Sequence, residues 1–350
     1  MKSTKLLAFF MAFAMTLIPA AVSAQEGFVR FSIDKQIFSD MSTTQQNALI
    51  TRTQELVQFI DRDVRKKIPA DIFAKIQDLK IKISLTDMPG RDGLFVPQDT
   101  SEQVIQVQLV QVYSNGIKAL LAHEIYHAIH FSINPDELPW VREGMAQVFE
   151  FITTGELNGM NLYAAINDPM TSLYGEYSPE EKFPAQYGHN QLYFYYLYSH
   201  CGKESFFWKL TEGKNQLKGS FLIDEILGEL NLSATECRDF SESAISFEVA
   251  KVHNQMQFTN ISQRNKYFLY PGDISPRFKK VQSAEEFKTL MDTMPVLSSY
   301  KLPLEELAKY KMPIGNFAIF YASNGFPYEV SESAPSKAKG VSAIIVKLGR

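Results

Sequence analysis

Apolar residues recur along this chain with two distinct periods. Leu79 to Leu85 (LKIKISL) alternates with period two, the pattern of a strand with one buried face. Val104 to Val112 (VIQVQLVQV) alternates as well, with Val104, Gln106, Gln108, Val110 and Val112 on one face. Ile105, Val107, Leu109 and Gln111 occupy the other. Polar residues on both faces predict a strand near a sheet edge or a cleft rather than the middle of a buried sheet. Phe28 to Ile33 predicts an initial strand. Between these, Thr43 to Ile68 follows the helical period: Leu49, Leu56, Ile60, Val64 and Ile68 form one stripe, and Pro69 ends it.

After the third strand, helical patterns dominate. Ile117 to Phe131 predicts a helix ended by Asn134-Pro135, and Pro139 to Ile152 a second, with Pro in its first turn and Gly155 beyond its end. Further helices are predicted over Gln186–Ser199, Lys203–Glu212, Ile223–Leu230 and Ala234–Ala250. From Gln263 the pattern changes: Asn316–Tyr321 and Val341–Leu348 predict strands, and Ala284–Met294 a helix. The expected class is α+β, a small N-terminal sheet with a mostly helical lower lobe over residues 25–250. Residues 251–350 are expected to form a C-terminal α+β segment.

Residues 1–24 have a different character. Lys2 and Lys5 precede an apolar run from Leu6 to Ile18, then Pro19 and small residues ending Val22-Ser23-Ala24. This is the layout of a cleavable secretory signal, with cleavage expected between Ala24 and Gln25. The run is shorter than the ~20 residues that span a bilayer, and no later run reaches that length. The expectation is a secreted or periplasmic protein with no membrane span in its mature chain. In an oxidising compartment the two Cys, Cys201 and Cys237, are expected to pair. Of 350 residues, 45% are hydrophobic and 21% charged, which places the chain among folded proteins, and a net charge of −4 offers no basic footprint for nucleic acid.

Three of the six His fall within residues 123–130. His123-Glu124-Ile125-Tyr126-His127 is an HExxH on a predicted helix, and residues four apart share a helix face. Two imidazoles so placed can point at one Zn²⁺, while Glu124, turned by about 100°, stands beside the ion as a general base. The second helix supplies a third donor in Pro139-Trp140-Val141-Arg142-Glu143-Gly144-Met145-Ala146. Its Glu143 completes a His2Glu set of the kind that leaves a coordination position open for catalysis. Gly144 is expected to let that helix approach the metal helix closely. His130 shares the ligand face, but a metzincin pattern needs Gly at 130 and His at 133, where this chain has His and Ile. His130 is therefore expected to pack or to support the site.

HEIYH followed by PWVREGMAQ resembles the gluzincin zinc metallopeptidases, whose pattern is HExxH with a later Glu in an (W/L)xxEGxA helix. The segment from Tyr187 to Leu197, then Cys201-Gly202-Lys203, is similar to the helix that follows in many of them, so the resemblance covers about residues 100–212. It implies a zincin-like fold, zinc on His123, His127 and Glu143, and Glu124 as base. It also implies an edge strand that binds substrate in extended form, a position matched by Val104–Val112. The family often adds a Tyr or His that stabilises the oxyanion. Tyr187 is the candidate here, with His189 and Tyr193 behind it. The chain departs from the family in its short gap between His127 and Glu143. Gly159-Met160-Asn161 follows HExxH instead of preceding it, so aminopeptidase action is not indicated. The expected function is a secreted zinc endopeptidase acting on a peptide or protein substrate. The alternatives are a silent zincin-fold binding protein or a zinc amidase acting on cell-wall peptide. The aromatic run Tyr193–Tyr198 is expected to be core.

Overall fold

A computed structural model describes residues 28–247, except 89, 100, 168–182, 235, 236, 241, 242 and 245, together with five strands beyond residue 278. The predicted leader and the predicted helix Ala284–Met294 lie outside the described residues, and the helix predicted over Ala234–Ala250 is described only in part. The chain divides into two units. The first comprises the described residues up to Pro135 and the segment Phe149–Glu156. The second comprises Asp136–Val148 and the chain from Leu157 onward.

The first unit is built on a four-stranded sheet. Strands β1 (Val29–Ile33), β2 (Lys80–Thr86) and β4 (Glu102–Gln108) run parallel, and β3 (Gly93–Val96) pairs antiparallel with β4, giving the order β1-β2-β4-β3. The register aligns Phe31, Ile83 and Ile105 across the parallel strands, and Leu85 with Val107, so one face is continuously apolar. The edges are therefore β1 and β3, and β4 lies inside the sheet. The expectation that Val104–Val112 is an edge strand is corrected on both counts. Extended structure stops at Gln108, and Leu109–Tyr113 coils into a 3-10 helix whose apolar residues mimic the alternation before them. The half-buried Gln and Glu of β4 follow from a sheet with one open face, not from an edge position.

Between β1 and β2 stand α1 (Lys35–Asp40), α2 (Thr43–Phe59) and α3 (Ala70–Lys75). Ser42 opens α2 with a capping box, its hydroxyl accepting from the Gln45 amide while the Gln45 side chain accepts from the Ser42 amide. The predicted stripe is buried in full. Past Phe59, however, the helix widens into a π turn (Ile60–Val64) and then tightens to 3-10 (Arg65–Lys67) before Pro69. After the sheet, α4 (Ile117–Ile133) packs against β3 and β4.

Helix α5 (Pro139–Thr154) contributes its first part to the second unit and its last turns to the first. In the second unit follow α6 (Gly159–Asn167), α7 (Phe183–His200), α8 (Glu204–Glu212) and α9 (Gly219–Leu230). Gly144 has a use within the second unit. A Cβ there would stand 2.1 Å from Cδ2 of Phe194, so the glycine seats an α7 ring that also lies 5.4 Å from the Trp140 ring. Gly188 lets α7 and α6 touch, since a Cβ there would meet the Asn161 carbonyl oxygen at 2.0 Å. The aromatic run is core: Tyr193, Phe194, Tyr195 and Tyr196 are buried, and the Tyr193 hydroxyl pairs with Ser243 at 2.9 Å. Burial pushes that phenol well above its ordinary range. Cys201 and Cys237 form a disulfide.

The remaining strands are β5 (Lys279–Lys280), β6 (Ser299–Pro303), β7 (Phe317–Ser323), β8 (Phe326–Tyr328) and β9 (Val341–Lys347). They form a second sheet in the order β5-β6-β9-β7-β8, antiparallel except for the pair β5–β6. The two strands predicted in this region correspond to β7 and β9. Among the described residues, no helix is long and apolar enough to cross a membrane.

Candidate metal centre

Helix α4 carries the HExxH. Its buried face is supplied by Leu121, Ala122, Ile125, Ala128 and Ile129, which leaves His123 and His127 half-buried. One turn apart, the two rings bring their Nε2 atoms to 3.0 Å of each other. One donor atom from each of His123, His127 and Glu143 lies within 4.8 Å of the others, so these three residues form a group that could hold a metal ion.

The donor chemistry fits an ion. Nδ1 of His123 lies 2.7 Å from Oε1 of Glu150, a residue in the last turns of α5 that is only 5% exposed. A carboxylate can only accept, so the imidazole donates through Nδ1, and in its neutral form Nε2 is left as a bare lone pair. That lone pair faces Nε2 of His127. Tetrahedral ligation with bonds of about 2.0–2.1 Å needs a nitrogen–nitrogen separation of roughly 3.3 Å, a few tenths beyond the one observed.

Glu150 was missed by the sequence reading. Its signal was an acid in the otherwise apolar stretch Val148–Ile152, seven positions after Glu143. Seven residues are almost two full helical turns, so Glu143 and Glu150 project from nearly one face of α5. Glu124 is buried, 6% exposed. Its carboxylate lies against the backbone of β3: a Cβ on Gly93 would stand 3.0 Å from Oε1 of Glu124 and 2.8 Å from Cδ1 of Leu120. Only glycine allows the edge strand so close to this carboxylate.

His130 is fully buried, its ring 5.4 Å from that of Tyr126, in the packing role expected of it. Tyr187 is half-buried near the start of α7, and His189 is fully buried two residues later. Tyr193 is committed to the core through Ser243. Gly159-Met160-Asn161 begins α6, with the Asn158 side chain accepting from the amides of Met160 and Asn161, so its residues serve a helix start. No protein-family profile matches the chain, and no curated protein matches it at a significant level.

Proposed function

We propose that the protein is a secreted zinc metallopeptidase of zincin-like fold, and that it cleaves within peptide chains. The grouping of His123, His127 and Glu143, one donor atom from each within 4.8 Å of the others, carries this reading, since two imidazoles and one carboxylate are a catalytic ligand set. Zn²⁺ on these donors would supply Lewis acidity to the scissile carbonyl and to the attacking water. Glu124, buried one residue from His123, takes a proton from that water and delivers it to the amine as the C–N bond breaks. Glu150 holds His123 in the tautomer that frees Nε2. The short antiparallel strand β3, alone on its edge and pressed against Glu124, suits an extended substrate that adds a strand to the sheet. Tyr187 is the proposed stabiliser of the oxyanion, on the family resemblance alone. Secretion is supported by the leader pattern and agrees with the disulfide.

The test combines metal analysis with cleavage of a peptide library. Purified protein is expected to carry one zinc per chain and to lose cleavage on chelation. Glu124→Gln should keep the zinc and lose about 10²–10⁴-fold in kcat. Cleavage that survives Glu124→Gln overturns the mechanism, and protein without stoichiometric metal overturns the site. Metal without peptide cleavage would favour a binding protein or an amidase of a different substrate.

A further inference from the structure

The orientation of β3 follows from one hydrogen bond. The Gln108 amide donates to the Asp92 carbonyl at 2.9 Å, making these two a bonded pair at the end of the antiparallel ladder. Bonded and non-bonded pairs alternate. Leu94 and Val96 therefore turn their N–H and C=O toward β4, whereas Gly93 and Phe95 turn theirs away from it. Gly93 stands opposite Val107 and Phe95 opposite Ile105, both fully buried, so the Phe95 side chain falls on the face that packs against α4. Its ring lies 6.3 Å from that of His127, with the planes 23° apart, and 5.7 Å from the ring of Phe131. Both phenylalanines remain half-exposed.

We infer that Phe95 and Phe131 form a specificity wall that selects a large apolar or aromatic substrate residue within about two positions of the scissile bond. The inference rests on the peptidase reading above. A strand added to β3 pairs its backbone with Gly93 and Phe95, and residues directly opposite on neighbouring strands share a face. The substrate residue opposite Phe95 thus carries its side chain toward α4 and against the two rings. The substrate residue two positions away lies opposite Gly93, beside Glu124. Base and wall are therefore about 7 Å apart along one strand. An aromatic or branched aliphatic side chain covers the rings, whereas a carboxylate loses hydration against them.

Cleavage by the zinc-loaded protein is measured on quenched peptides with Phe, Leu, Ala or Glu at each position around the cut. At one position the wild type should prefer Phe to Ala by about tenfold in kcat/KM. Phe95→Ala and Phe131→Ala should each reduce that ratio to about twofold. Phe95→Lys should turn the preference toward Glu, a gain that misfolding does not produce. A wild type indifferent to side chain at every position, or a preference that survives both Ala variants, overturns the inference. If the wild type cleaves nothing, the peptidase reading has failed separately, and selection is read from fluorescence anisotropy of labelled Phe and Ala peptides. Tighter binding of the Phe peptide, lost in Phe95→Ala, upholds the wall; equal binding overturns it.

Discussion

Glu150 sets which nitrogen of His123 is bare, and in the proposed metal site it would tune affinity without touching the ion. Glu150→Gln, whose amide can present either a donor or an acceptor to Nδ1, should weaken metal binding about 10–100-fold in competition with a chromogenic chelator, with the fold intact by circular dichroism. A second buried carboxylate, Glu137, accepts at Oε1 from the amides of Leu138 at 2.7 Å and Gly219 at 2.8 Å, tying the starts of α5 and α9. Burial raises its pKa, and the two amide hydrogen bonds offset part of the rise. The folded state then holds the proton more tightly than the unfolded one. Its stabilising contribution is complete below the unfolded value near 4.5 and is lost as pH climbs through the raised folded value. Glu137→Gln keeps an acceptor without that titration. In urea unfolding, wild type should lose ground to the Gln variant as pH rises above about 4.5. The three residues that could hold an ion were legible from spacing along helices. Glu150 and Phe95 were not, because their roles depend on tertiary closure of segments far apart in sequence.

Among the elements, the glycine contacts make a graded forecast. Gly144→Ala meets a phenyl ring that can shift, and should cost about 1–3 kcal/mol in urea unfolding, partly recovered by Phe194→Leu. Gly188→Ala meets a backbone carbonyl that cannot, and should cost more, with no single side-chain change restoring it. Long elements with a clear period were readable: β1, β2 and helices α4, α5, α7 and α8 fall where the pattern puts them, within a few residues at their ends, whereas α2 stops at Phe59, short of the predicted Ile68, and passes into π and 3-10 turns. Strand β3 was not, because Gly-Leu-Phe-Val is too short to show alternation and opens on a residue that reads as turn. The 3-10 segment Leu109–Tyr113 hid behind an alternation that continued from β4. The Phe194 ring over Gly144 was not legible, because sequence shows that a gap exists and not which side chain fills it.

For the whole molecule, the disulfide closes a loop across 36 positions and constrains the unfolded chain. Replacing both cysteines with serine should lower stability by roughly 3–4 kcal/mol on the chain-entropy account, visible as a lower denaturant midpoint. The fold class was legible because local patterning reports it; the C-terminal sheet was legible in two strands, β7 and β9, the longest in that region. Strand β3 has one more consequence. A strand edge open to a visitor is equally open to another copy of itself, which is how ordered aggregates begin. Here the open stretch is four residues, preceded by exposed Arg91 and Asp92 and followed at once by exposed Pro97, with Asp99 close behind. Fibre growth needs a longer, flatter and less charged template. The β3 edge is thus too short and too closely flanked by charge to seed a polymer.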